Sequence, residues 1–354
     1  MTSTGQSEQV PGGGAGAVPA GDTAEPIPER RTRRRLRFLT DSTALIFVVL
    51  LALVAAFSLL RPDAFATVNN VRTIFIGASV LSVIAVGMTF VIVTAGIDLS
   101  IGSVLVFSSV IAVEVMTAMG NEGWLVTAVG ILVAMGTGLL WGVVNGVLTA
   151  KARIPPLIVT LGTLGAALGL AQVITGGVNL RGVPPELTQW LGFGRIFGVP
   201  WLVVVATVVT VLGIVVLRFT RFGRYTYAIG SNPEAARRAG IKVERHLIKV
   251  YAMTGMLAGL GGAMSLARFS STNIAGHTMD NLQVISAVVI GGTSLFGGIG
   301  TVFGSVVGMF IPTVLQNGFV IMRVQPFWQG VAVGVVRIAA VYVDQLKRRA
   351  RERT

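Results

Sequence analysis

The chain has 354 residues, a mean hydropathy of +0.78 and only 12% charged residues. Apolar runs that approach or exceed the roughly 18–20 residues needed to cross a bilayer recur along it, which excludes a soluble domain of useful size. It has no Cys, which excludes disulfides and thiolate metal sites, while a formal charge of +13 raises nucleic acid as a partner to be tested against the charge distribution.

Residues 1–43 open with Gly, Pro, Ser, Thr and Glu and carry an Arg cluster from Arg30 to Arg37. No apolar periodicity runs through them, which predicts a disordered basic cytoplasmic tail. The cluster reads as the flank of an uncleaved anchor, because further spans follow. Ten candidate spans come next, at 44–60, 73–95, 100–119, 124–148, 157–176, 199–217, 250–267, 282–296, 302–320 and 327–343. The expected fold class is an all-α polytopic membrane protein, residues 44–343 forming one transmembrane domain. A basic tail, 344–354, closes the chain.

Lys and Arg orient these spans. With the N-terminus inside, one side receives the Arg30–Arg37 cluster, Lys151, Arg153, the basic residues of 218–249 and those after residue 343. The other side receives Arg61, Arg72, Arg181, Arg195, Arg268 and Arg323. The asymmetry predicts that both termini are cytoplasmic. It also accounts for the basic charge without nucleic acid.

The longest polar segment after the tail is 218–249, between the sixth and seventh candidate spans. It predicts a short helix with its own punctuation. Asn232 caps the first turn, Pro233 takes the first helical position and Glu234 faces the positive end of the dipole. Ala235, Ala236, Arg237 and Arg238 continue it, and Gly240 ends it in a left-handed conformation. Such a helix in a basic loop suits docking of a cytoplasmic partner, and a solvated positive-inside loop is the plainer alternative.

Two stretches resemble each other: NGVLTAKARIPPLIVTLG at 145–162 and NGFVIMRVQPFWQGVAVG at 317–334. Each runs Asn-Gly, a short link, proline and a new span. They join spans four to five and nine to ten, an odd offset that makes them a candidate inverted-topology repeat. Two breaks interrupt the apolar pattern. The segment 96–102, with Asp98 and Ser100, reads either as a re-entrant half-helix beside a substrate path or as a tight turn with a capping carboxylate. The second break holds Gly291, Gly292, Gly297, Gly298 and Gly300, too many glycines for a straight helix. Broken backbone at membrane depth must be buried in protein or face a wet cavity.

Neutral polar residues recur within the spans. Asn145, Gln172, Asn317 and Gln329, with Asp98 and Ser100, are candidates for a polar substrate path; Thr160 and Thr163 lie among them, and bonding between helices is their plainer use. Glu114 is the one good intramembrane acid for ion coupling, and Arg337 lies within the last span. No P-loop, HExxH or GxSxG motif occurs, so there is no catalytic set to assign, and His246 and His277 are too few for a metal centre. No cofactor is expected. If ATP drives this protein, another chain hydrolyses it.

The stretches GIDLSIGSVL (96–105), NGVLTAKARIPPLIVTLGT (145–163), RFGRYTYAIGSNPEAARRAGI (221–241), YAMTGMLAGLGG (251–262) and AVVIGGTSLFGG (287–298) together resemble the permease subunits of bacterial ABC importers for monosaccharides. QNGF and PFWQG, between 316 and 330, extend the likeness, which begins near residue 70. The resemblance implies a homodimer of ten-span subunits in the cell membrane, surrounded by lipid. It implies a cytoplasmic ATP-binding subunit and an extracytoplasmic substrate-binding protein, and makes 232–240 the coupling helix. Two departures stand out. Where the family usually has Glu-Leu-Asp-Ala-Ile, this chain has Asn281-Leu282-Gln283-Val284-Ile285, and Arg337 replaces an aliphatic residue. The alternatives are an ion-coupled secondary carrier and a permease of the same architecture for a non-sugar solute.

Overall fold

The computed structural model describes residues 42–325 and, beyond them, positions 328, 330, 331, 334 and 335. The tenth expected span, with Gln329 and Arg337, lies largely outside the described residues. So do positions 1–41 and the tail 344–354.

The described chain is helical. Helix α1 (Ser42–Leu60) is followed by a single turn, α2 (Pro62–Phe65), and by α3 (Val68–Val93), α4 (Ile101–Ala118), α5 (Trp124–Ala150) and α6 (Pro156–Thr175). A π-helical turn (Leu187–Gly192) and a two-residue antiparallel pair, β1 (Arg195–Ile196) with β2 (Val199–Pro200), lead into α7 (Trp201–Phe219). Then come α8 (Arg221–Ser231), α9 (Pro233–Arg238), α10 (Val243–Phe269), α11 (Asp280–Ile290) and α12 (Val302–Ile321). Among the described residues seven helices are long and apolar enough to cross a membrane: α3, α4, α5, α6, α7, α10 and α12. The fold is that of an all-α polytopic membrane protein.

Burial separates two classes of helix. The apolar stretch of α3 is 83% buried, that of α7 only 22%. Helices α3, α4 and α10 form the centre, where Phe90, Leu105 and Met264 are fully buried. By contrast α7 exposes Val208, Val211, Leu212 and Val215.

The contact between α5 and α10 sets the centre. Gly138, Gly142 and Gly146 line one face of α5 at a spacing of four and meet Gly255, Tyr251 and Ile248 of α10. A methyl group at Gly142 would stand 2.8 Å from the Cα of Ala252. In lipid no hydrophobic force drives helices together, so close backbone approach through small residues has to supply the association.

The structure revises several boundaries. The eighth expected span, 282–296, is the shorter helix α11, because the chain turns at the glycines after Ile290. The seventh extends to Val243, since Glu244 favours the first turn of α10 and needs no apolar neighbour there. The polar segment contains a second helix, α8, capped by Thr220, whose side chain accepts from the Gly223 amide.

Gly142→Ala should lower the thermal stability of the detergent-solubilised chain by about 1–3 kcal/mol, the usual cost of overpacking. Gly136→Ala, on the same helix with open space around it, should be neutral or raise stability by up to about 1 kcal/mol. Equal effects of the two would show that the α5–α10 contact does not limit stability.

Candidate functional site

The capped helix expected at 232–240 is α9. The Asn232 side chain accepts from the Ala235 amide at 2.9 Å, Pro233 is its first residue, and Gly240 has φ 83°, the left-handed stop. Ala236 is buried against Ile229 of α8 and Val243 of α10, with Ile241 and Leu247 packed around them. Asn232, Pro233, Glu234, Ala235, Arg237, Arg238 and Gly240 are all exposed. One alanine thus anchors the helix and the remaining surface is presented outward.

A charged clamp steadies it. Arg237 pairs with Glu234 within the helix and with Glu244 of α10, the latter at 2.7 Å. The hydrogen bond that Arg237 donates to Glu244, then the charge of Glu234, hold its guanidinium above its ordinary value. These groups are exposed, so the clamp contributes little stability and mainly fixes geometry. Beneath it lies a cavity of about 370 Å³ lined by Thr149, Arg153, Glu234, Arg237, Glu244 and Leu247, among others. Helix α8 seats the assembly on α10, where Thr226 Oγ1 lies 2.9 Å from His246 Nε2 and Phe222 stacks on the same imidazole with centroids 4.4 Å apart.

The first break, between α3 and α4, is held by its own side chains. Asp98 Oδ1 accepts from the Ser100 amide at 2.8 Å and the Ser100 hydroxyl at 2.6 Å, and Asn145 Nδ2 of α5 donates to Ser100 Oγ at 2.8 Å. All three residues are buried. The structure therefore brings together Asp98, Ser100 and Asn145, three of the residues expected on a polar path. Tyr251 stands over this break, its hydroxyl so near Gly96 that a methyl there would lie 2.7 Å away. The second break packs on the end of α3. The Gly298 amide donates to the Val93 carbonyl at 2.9 Å, and Tyr227 of α8 donates to the Gly300 carbonyl at 2.7 Å. Burial pushes the Tyr227 phenol up, against the pull of Arg218. Gly292, Gly297 and Gly298 have positive φ, and Gly291 packs on the backbone of Gly304.

The other expected path residues lie apart from that junction. Asn317, half-buried near the end of α12, donates to Asn70 Oδ1 at 2.9 Å at the start of α3. Asn145 and Asn317, the matching residues of the two similar stretches, thus sit at opposite ends of α3. Gln172 is exposed on α6, Glu114 is exposed one turn from the end of α4, and Gln329 is outside the described residues.

Sequence reasoning missed the contacts of the loop between α10 and α11. His277 Nε2 lies 2.8 Å from Ser265 Oγ, and its Nδ1 lies 2.6 Å from Asp280 Oδ2. The order Ser, His, Asp copies a hydrolase triad, yet Ser265 is 2% exposed within a packed helix, so no scissile bond reaches it. The line serves to satisfy buried polar atoms at the start of α11. Asn281, at the position where the resemblance implies Glu, donates Nδ2 to the Leu99 carbonyl at 2.9 Å. An ionised carboxylate has no proton to donate there. The departure therefore ties the start of α11 to the first break. The pairing spans 182 residues, so no local signal announces it.

Ser100→Ala should cost about 1–3 kcal/mol, since it strands the Asn145 amide in a buried site. Gln172→Ala, at an exposed position, should change stability by less than about 0.5 kcal/mol. Thermal unfolding in detergent measures both.

Residues 70–341 match the family model described as branched-chain amino acid transport system / permease component. The ribose import permease protein of Escherichia coli (strain K12) is 39% identical over 304 residues, covering 85% of this chain and 93% of its own. The D-allose transport system permease protein of the same strain is 35% identical over 301 residues, covering 85% and 90%. The fructose import permease protein of Rhizobium meliloti is 33% identical over 320 residues, covering 88% of each. No solved structure matches. With a family model covering most of the chain and relatives aligned over nearly their full lengths, the chain belongs to the branched-chain amino acid transport system / permease component family.

Proposed function

We propose that this chain forms the translocation path of an ATP-driven importer for a monosaccharide or a related small polar solute. It is a multi-pass permease of the cell membrane and not an enzyme, so ATP hydrolysis belongs to a separate subunit. The observation that carries the proposal is α9, a capped and clamped helix that exposes all but one residue of its docking surface while resting on the spanning helix α10. The sugar class rests on relatives named for ribose, allose and fructose.

In this reading a cytoplasmic ATP-binding subunit grips Asn232, Pro233, Glu234, Ala235, Arg237, Arg238 and Gly240, with Ala236 as the anchor. An extracytoplasmic binding protein delivers solute at the other face, and a second copy of the chain completes the path. Residues 44–343 make ten spans between cytoplasmic tails. The opposite placement of Asn145 and Asn317 supports an inverted repeat. Asp98, Ser100 and Asn145 hold the break beside the path, Asn317 and Gln172 belong to its flanks, and the glycines from Gly291 to Gly298 let α11 and α12 shift against α8. The coupling needs a partner that prefers one state of the permease, which nucleotide-dependent closure of the ATPase provides. A non-sugar solute is the second reading, favoured by the family's own description. Ion coupling is not favoured, because Glu114 is exposed near a helix end.

The variant carrying Glu234→Arg and Gly240→Val should lose at least about ten-fold in solute uptake by the reconstituted complex. The permease should remain in the membrane at normal abundance. Normal uptake by that variant would sink the coupling assignment.

A further inference from the structure

A groove of about 510 Å³ opens between the last turns of α7, the face of α8 and the first turn of α12. Ile214, Leu217 and Phe303 give it an apolar body, and Arg218, Tyr227 and Thr301 give it a polar end. Arg218 lines the groove and is exposed, and Arg221 and Arg224, also exposed, follow it within two turns on α8. No Asp or Glu occurs from 201 to 233 or from 281 to 343, so neither α7, α8 nor α12 brings an acid to that edge. Leading away from it, Val211, Ile214, Val215 and Arg218 recur at helical spacing on one face of α7, and Val211 and Val215 are exposed.

We propose that this groove binds one anionic phospholipid, its phosphate against Arg218 and an acyl chain along α7 and Phe303. The charge fits, because basic pockets between spanning helices collect acidic headgroups, and an exposed apolar helix face is one that lipid already solvates. Tyr227 suits the same depth, with its ring in the groove and its hydroxyl on the Gly300 carbonyl. The place matters because α8 leads directly into α9 and Gly300 closes the glycine break. A lipid held here would brace the elbow between α7 and α8. The inference needs only that the chain spans a membrane, so it stands or falls apart from the coupling proposal.

The test is quenching of an indole placed in the groove by Phe303→Trp, read against the parent chain. The full-length protein is reconstituted with brominated phosphatidylglycerol or brominated phosphatidylcholine at equal mole fraction. Phosphatidylglycerol should quench with an apparent association on the order of five-fold higher, the effect of one basic residue at an acidic surface. Adding Arg218→Ala should bring the ratio to about one, and adding Arg218→Lys should keep most of it. Equal quenching by both lipids with Arg218 intact would overturn the proposal. So would an indole quenched by neither lipid together with disulfide linkage between copies through Thr301→Cys, the single thiol of a Cys-free chain, since the groove would then be covered by a second copy.

Discussion

Between α5 and α10 the two backbones meet with only hydrogen on the facing residues at Gly138, Gly142 and Gly255. Much of the rest of the structure follows from that contact. It holds α10 against the centre, where Thr254 donates to the Gly87 carbonyl of α3 at 3.1 Å. It places Tyr251 over Gly96 and Asn145 beside Ser100. In a hydrocarbon medium a larger residue at these points would separate the helices, and nothing hydrophobic would draw them back.

The second constraint is the absence of water around broken backbone. Each interruption at membrane depth finds its partners inside the protein. The turn after α3 uses Asp98, Ser100 and Asn145; the glycine segment uses the end of α3 and Tyr227; the loop before α11 uses His277, Asp280 and Asn281. The three repairs share members. Val93 and Leu99 flank the first break, and each accepts a hydrogen bond from one of the other two segments. The helix breaks are therefore one connected junction. Helix α8 belongs to it through Tyr227 and continues through Asn232 into α9, which gives the outward-facing helix a short physical route to the centre of the bundle.

The legible parts of the candidate site were local. Asn232, Pro233 and Gly240 act within one or two turns of themselves, so their roles could be read from spacing and are visible in the geometry. Seven of the ten expected spans coincide with helices long and apolar enough to cross a membrane, with ends displaced by up to seven residues. Illegible were the contacts that cross the chain. Nothing near Asn145 announces Ser100, 45 residues away, and nothing near Asn281 announces Leu99. Helix α8 was hidden because its polar residues outweigh its apolar ones, although Thr220 and the buried Thr226 and Ile229 mark its cap and inner face. Of the two readings of 96–102, the geometry fits the tight turn: Asp98 accepts from the Ser100 amide, and α4 runs on from the turn for 18 residues, too long for a half-helix.

The sequence by itself determined the class of the protein. Its long apolar runs become seven helices long and apolar enough to cross a membrane, and a capped polar helix between two of them needs no distant contact to form. Tertiary structure decided which polar residues meet. It drew Asp98, Ser100 and Asn145 into one buried junction, set Asn145 and Asn317 at opposite ends of α3, and left Gln172 and Glu114 exposed. A polar side chain in a spanning helix must find a partner, but only the packing of the other helices decides which partner lies within reach.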